Sequence, residues 1–253
     1  MGKKYKIGLA LSGGGIKGFA HAGALQALEE HGIKPDIMSG TSAGSVVAAL
    51  YSAGFKPIEI CEFFEDKKFS TFTQLTIPVS GFFKPQKFAD FIGEKIKYKK
   101  LEDLPIPVRV VATDLDHGKS VVFDRGAIAE RVMASATIPI VFEPTVIGGI
   151  NYVDGGIFKN FPVSVIRDDC ETVIGVNVSP LVPTKYNLNI LGIASRSYEF
   201  MFRANTLDDR KMCDVLVEVA GALKYDNSFD LTKVEDIFEL GYDKMNKKLK
   251  SLK

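Results

Sequence analysis

Apolar runs and helical stripes alternate along this chain. Residues 5–11 read as a buried strand that ends at Ser12 and a run of glycines. Residues 16–31 follow as a helix. Phe19, Ala20, Ala24, Leu25, Ala27 and Leu28 recur at near-helical spacing, and Gly32 supplies a stop. Residues 36–39 form a short second strand, and residues 45–53 a helix closed by Gly54. Residues 108–112 are β-branched and strand-like, and residues 128–136 are helical up to Pro139. Further strands are expected over 151–153, 173–178 and 216–220. This order predicts an α/β fold with three layers, α/β/α, around a mostly parallel central sheet. In such a sheet, sites form beyond the carboxyl ends of the strands.

Three segments stand apart from that rhythm. Residues 55–91 hold nine of the eighteen phenylalanines, among them Phe63, Phe64, Phe69, Phe72, Phe82, Phe83, Phe88 and Phe91. A cap over a site at 60–95, with a lid at 70–84, is one expectation; a helix pair packed on the sheet through its rings is the other. Residues 190–201 carry an apolar helical stripe suited to a core or a dimer face. Residues 234–253 place Val234, Ile237, Phe238, Tyr242, Met245, Leu249 and Leu252 on one stripe, and the last ten residues hold five lysines and no acid. Such a basic helix either packs on the core with a lysine tail or lies on anionic lipid.

Composition narrows the classes. The 253 residues suit one domain, 1–253, with a substantial core. A formal net charge of +1 provides no general field for nucleic acid. Cys61, Cys170 and Cys213 are dispersed and odd in number, which suggests reduced thiols in a cytoplasm and no zinc spacing. Lys3, Lys4 and Lys6 precede an apolar run too short for a secretory signal, and no stretch approaches the ~20 apolar residues of a membrane span.

The chemistry concentrates after three of the strands. Gly40-Thr41-Ser42-Ala43-Gly44 lies between a strand and a helix, the setting of a nucleophile elbow. Small residues are also common in plain turns, so the five residues gain weight only from those flanks. After the first strand, Gly13-Gly14-Gly15-Ile16-Lys17-Gly18 can aim successive backbone N–H groups at one anion beside a helix N-terminus. The same run matches the dinucleotide fingerprint. Asp36, about 18 residues on, stands near the right distance for a ribose but at the beginning of its strand. After the strand at 151–153 comes Asp154-Gly155-Gly156, either an accessible base or an ordinary turn aspartate.

A serine hydroxyl needs a base. His21, His31 and His117 are the only histidines, and only His117 follows Ser42. It precedes Asp154, against the order acid-then-histidine of α/β hydrolases. His21, a turn after Lys17, suits a solvent-facing or capping role. That supply argues against a triad and favours a carboxylate, which becomes a useful base when desolvated.

Together the glycine run, the Ser42 pentapeptide and Asp154-Gly155-Gly156 resemble the patatin-like phospholipases. His21-Ala22-Gly23-Ala24-Leu25, Ala112-Thr113-Asp114-Leu115, Ala134-Ser135-Ala136-Thr137-Ile138-Pro139 and Asn160-Phe161-Pro162 match further blocks of that family. The resemblance covers roughly residues 5–180. It implies a Ser42–Asp154 dyad, an oxyanion hole from Gly13, Gly14 and Gly15, and structural support from Lys17, Gly18, Gly40, Gly44, Gly155 and Gly156. It implies hydrolysis of lipid acyl esters without metal or organic cofactor. Peripheral membrane contact is an expectation of the phenylalanine-rich lid and the basic C-terminal helix. Lys17 departs from the more usual arginine: the charge is kept and the bidentate fork is lost. A non-catalytic lipid-binding or regulatory module, and a dinucleotide-binding protein, are the rival readings.

Overall fold

The structure is a computed structural model and describes residues 2–64, 74–75, 80–225 and 231–252. Its strands are β1 (Tyr5–Leu11), β2 (Ile37–Thr41), β3 (Gln74–Leu75), β4 (Phe83–Lys84), β5 (Val108–Asp114), β6 (Lys119–Phe123), β7 (Thr145–Ile147), β8 (Ile150–Asp154), β9 (Cys170–Asn177) and β10 (Val215–Glu218). Its helices are α1 (Phe19–Glu30), α2 (Ala43–Ser52), α3 (Pro57–Glu62), α4 (Gln86–Lys95), α5 (Ile128–Ala136), α6 (Gly156–Lys159), α7 (Ser164–Arg167), α8 (Ile190–Arg203), α9 (Leu207–Lys211) and α10 (Val234–Lys250). Among the described residues the main sheet has eight strands. The order is β10-β9-β1-β2-β5-β8-β7, with β6 paired to β5.

The parallel half is β10, β9, β1, β2 and β5. These strands are apolar along their length because helices cover both faces. Leu9, Leu11, Met38, Val108, Val110, Ile174 and Val176 contribute to the larger core with α1, α2 and α10, while Ala10, Ile37, Phe161 and Val173 pack in a second cluster.

At β5 the direction reverses. Strands β6 and β8 both run antiparallel to it, and β7 pairs antiparallel with β8. The cause of the last hairpin is local. Gly148 and Gly149 form its two-residue loop, both with positive φ (59° and 83°). That is the geometry of a primed turn, which suits the twist of a hairpin.

Several expected elements shift. The helix expected over 16–31 begins as a 3-10 turn, Gly15–Gly18, and becomes α1 at Phe19. The C-terminal stripe is core: Val234, Ile237, Phe238, Met245 and Leu249 are buried, and α10 lies along α1. A Cβ on Gly23 would meet the Phe238 carbonyl, and one on Gly241 the Ala20 carbonyl. Backbone therefore crosses backbone there, and that stripe is not free to lie on lipid.

Phe63 and Phe64 pack edge-on or tilted with Phe55, Phe19 and Phe91 at centroid distances of 4.7–5.6 Å. This is the ring-packed alternative to a cap. Phe83 stacks obliquely on Phe142, and Phe82 is half exposed. Phe69, Phe72 and most of the expected lid lie outside the described residues.

Candidate active site

Ser42 sits between the end of β2 and the start of α2 with φ 52° and ψ −125°. Positive φ is costly for a residue with a side chain. It persists because the backbone around it is fixed. The Ser42 N–H donates to the Ser135 hydroxyl at 2.8 Å, and the Ser42 carbonyl accepts from the N–H of Ser45 at 2.9 Å. Glycine on either side is required by close approach. A Cβ on Gly40 would strike the Gly44 backbone, and one on Gly44 the carbonyl of Leu11.

Asp154 reaches Ser42 through register. Thr41, the last residue of β2, pairs with Val111, and Ala112, the next residue of β5, pairs with Asp154. Strand β5 overruns β2 by three residues, so an antiparallel neighbour can end level with the elbow. Within the mostly parallel sheet expected from sequence, β8 is an antiparallel member: the site joins the carboxyl ends of parallel β1 and β2 to that of an antiparallel strand.

The two side chains meet. The Ser42 side chain is the hydrogen-bond partner of the Asp154 carboxyl, and the N–H of Gly156 donates to Oδ1 of Asp154 at 2.8 Å. Both residues are buried. Desolvation pushes the Asp154 pKa up to about 6, against the lowering effect of those two hydrogen bonds. A carboxylate of raised proton affinity beside a serine hydroxyl is an arrangement able to exchange a proton without a histidine. Tyr198 lies nearby, its pKa raised to about 12 by burial and by the Asp154 charge.

Histidine is placed elsewhere. His21 is wholly buried, not solvent-facing. Its Nε2 lies 2.8 Å from the Ser12 carbonyl, and burial lowers its pKa to about 4. His117 pairs with Asp114 through Nδ1 at 2.9 Å in the turn after β5, and His31 meets Asn246 at 3.0 Å.

The glycine loop divides its roles. The Gly13 N–H is already donated to the Asn160 carbonyl at 2.9 Å, so Gly13 shapes the loop and brings no free donor. Among the described residues the N–H groups of Gly14 and Gly15 have no hydrogen-bond partner. Gly15 turns with φ 58°, a value that favours glycine. Gly18 abuts Ala43, which fits the start of α1 against that of α2. Gly155 packs on the Val111 carbonyl, and Gly156 leaves room for Phe202 and Asn160. Lys17 is buried and faces the same space as Ser42 and Asp154. The dinucleotide alternative loses its acid, because Asp36 accepts the Ile7 N–H at 2.8 Å at the amino end of β2.

Two cavities meet at Ser42. One, of about 150 Å³, is almost wholly apolar, walled by Ile16, Phe19, Val46, Val47, Phe88, Met133, Ala136 and Phe142. The other, of about 280 Å³, also holds Asp154, the three glycines, Lys17, Tyr198, Glu199 and Arg203. The sequence reading had not singled out Ser135, Asn160, Tyr198 or Arg203. Ser135 and Asn160 lay in blocks noted only for resemblance, and the wall of α8 carries no motif.

A serine on a strained elbow, facing a desolvated aspartate beside a glycine loop, on a sheet of this topology, defines a class of α/β serine–aspartate proteins. The chain belongs to the patatin-like phospholipase family, whose model matches residues 9–166. An uncharacterized NTE family protein of Mycobacterium bovis is 33% identical over 186 residues, covering 71% of this chain and 51% of its own. Lysophospholipase NTE1 of Saccharomyces cerevisiae is 27% identical over 270 residues, covering 94% of this chain and 16% of the yeast protein. This chain thus spans about half the length of the mycobacterial relative. The crystal structure of VipD from Legionella pneumophila shares the fold, with a TM-score of 0.58 at 15% identity over 98% of this chain and 67% of that one. Among the described residues no helix is long and apolar enough to cross a membrane.

Proposed function

We propose that this chain is a serine lipid acyl hydrolase, a phospholipase or lysophospholipase that works through an acyl-serine intermediate. The observation that carries the reading is the Ser42 side chain set against the buried Asp154 carboxyl. Asp154 accepts the hydroxyl proton while Ser42 attacks the ester carbonyl. The negative charge that develops on the carbonyl oxygen is met by the free N–H groups of Gly14 and Gly15. That of Ala43, at the positive end of α2, completes the set. The proton passes to the leaving alcohol or lysolipid. Water then attacks the acyl-enzyme with Asp154 again as base, and the fatty acid leaves.

Two cavities of different polarity support a division of the ester between them. An acyl chain fits the apolar cavity beside Ser42, and the alcohol side fits the polar cleft with Lys17 and Arg203. Membership of a family named for phospholipases, and likeness to a lysophospholipase, support a lipid as the ester.

A fluorophosphonate probe tests the reading together with hydrolysis of nitrophenyl esters. Wild-type chain should label at Ser42 and turn over; Ser42→Ala should do neither while keeping its melting temperature. Turnover retained by Ser42→Ala would sink the mechanism. A wild type that neither labels nor turns over would leave the non-catalytic lipid-binding alternative.

A further inference from the structure

Helix α8 is built inside out. Its charged residues face the protein: Arg196 and Arg203 both pair with Glu199, at 2.7 and 3.2 Å, and the arginine side chains are only 11% and 9% exposed. Its apolar residues face away. Ile190, Ile193, Phe200 and Met201 recur on the outward side at helical spacing, and all are exposed. The loop before it adds Tyr186 and Leu188. The exposure is extreme at the start of the helix: 84% at Leu188, 86% at Ile190 and 81% at Leu191. A soluble surface normally scatters such residues singly; a contiguous set marks an interaction face.

We propose that the outward face of α8 and the loop before it dock this chain on a phospholipid surface. Two further observations favour lipid over a protein partner. First, residues 172–198 contain no acid, while Lys185 stands exposed beside the apolar tip. An apolar face with a basic flank and no acid suits an interface that contains anionic lipid. Second, the opposite side of the same helix walls the polar cleft through Tyr198, Glu199 and Arg203. Seated on lipid through α8, the chain would hold its Ser42 cleft one helix diameter from the surface, about 10 Å. The helix is also fixed in this pose. Asn205, just beyond it, donates to the carbonyls of Met201, Gly156 and Ile157 at 2.7–3.0 Å, tying α8 to the residues that follow Asp154. The choice of lipid rests on the ester-hydrolase reading; the exposed face does not.

The test is co-sedimentation of the chain with phosphatidylcholine vesicles, with and without phosphatidylglycerol. Hydrolysis of water-soluble nitrophenyl butyrate is measured in parallel. Wild type should sediment, more strongly with phosphatidylglycerol. The triple variant Leu188→Gln, Ile190→Gln, Leu191→Gln should partition roughly tenfold less or worse, with melting temperature and butyrate hydrolysis unchanged. A variant that sediments like wild type overturns the proposal, as does a wild type that stays in solution. If neither sediments, and light scattering finds a wild-type dimer that the variant splits, the face belongs to a second copy. A wild type that binds vesicles yet leaves butyrate intact keeps the docking face and removes the hydrolase reading.

Discussion

The hydroxyl of Ser135 receives the backbone N–H of Ser42 at 2.8 Å and itself donates to the Val111 carbonyl at 2.5 Å. One side chain thus pins the strained elbow to β5. The same segment holds the other half of the site, because the Thr137 carbonyl accepts the Asp154 N–H at 2.8 Å and the Ser135 carbonyl the Gly155 N–H at 3.3 Å. The end of α5 is therefore a clamp that sets the distance between Ser42 and Asp154.

Replacing Ser135 with Ala removes the acceptor and leaves a buried N–H unsatisfied at a residue of positive φ. The expected cost is about 1–3 kcal/mol of stability. Because the strain at Ser42 relaxes, turnover should fall by more than stability alone explains. Nitrophenyl ester kinetics below the melting transition, compared with fluorophosphonate labelling rates, check this. Unchanged kcat would show that the clamp is not needed for the pose of Ser42.

Asp154 gives opposite signs for activity and stability. In the proposed mechanism Asp154 works ionised, so kcat/KM should rise with pH through an inflection near its pKa of about 6. Its folded pKa is raised above the ordinary 3.8, so its stabilising contribution is complete below about pH 4 and is lost as pH climbs through 6. The shift corresponds to about 3 kcal/mol. Asp154→Asn should therefore melt several degrees higher than wild type at pH 8, match it near pH 4, and be inactive at both. Equal melting temperatures at pH 8 would mean that the carboxylate is better solvated than its surroundings imply.

His21 runs the other way. Its pKa falls from 6.5 to about 4 on burial, so its contribution is complete above pH 6.5 and is lost as pH drops through 4. In wild type the two groups oppose each other between pH 4 and 6. The Asp154→Asn variant removes one of them, so its stability should decline steadily on acidification across that window, followed by chemical denaturation.

Much of the site was legible because its chemistry is local. Gly40, Ser42 and Gly44 announce a tight strand-to-helix turn, and Asp154-Gly155-Gly156 a carboxylate in open backbone. What was hidden was the direction of β8. Strand 151–153 is short, and its sense depends on Gly148-Gly149, a primed-turn signal that the βα rhythm around it masks. Gly13 was hidden for another reason. No pattern within the glycine run tells which N–H will be taken by a distant carbonyl such as that of Asn160. The burial of His21 was hidden because residues 19–25 of α1 are buried all round, and the exposed residues of that helix, Glu29 and Glu30, lie only in its last turn. The stripe on α8 had the right period and is exposed, which removes the core and leaves an interaction face, since periodicity gives an apolar face but not what covers it.

The apolar cavity offers a selective lever at Ala136, which lines it from the end of α5 and is only partly buried. Ala136→Leu should fill space beside Ser42 without deep overpacking. Each methylene excluded from an apolar pocket is worth about 1–3 kcal/mol of discrimination. The expected outcome is a tenfold or greater loss of kcat/KM for octanoyl and longer nitrophenyl esters, with butyrate little changed. A uniform loss across chain lengths would place the acyl group elsewhere.

The last lever lies far from Ser42, at the crossing of α1 and α10. A methyl group on Gly241 would meet the Ala20 carbonyl, and the facing Gly23 is equally close to Phe238. Helices this close have no room for a side chain, so Gly241→Ala must push α10 outward and loosen Ile237 and Met245, both wholly buried. Overpacking of this kind costs about 1–3 kcal/mol, against the small gain in helix propensity that alanine brings. A lower melting temperature with unchanged vesicle binding is expected, since the helix is a structural strap and the lipid face is on α8. Were vesicle binding to fall in step with stability while the α8 variant bound normally, the C-terminal lysines would be the docking element instead.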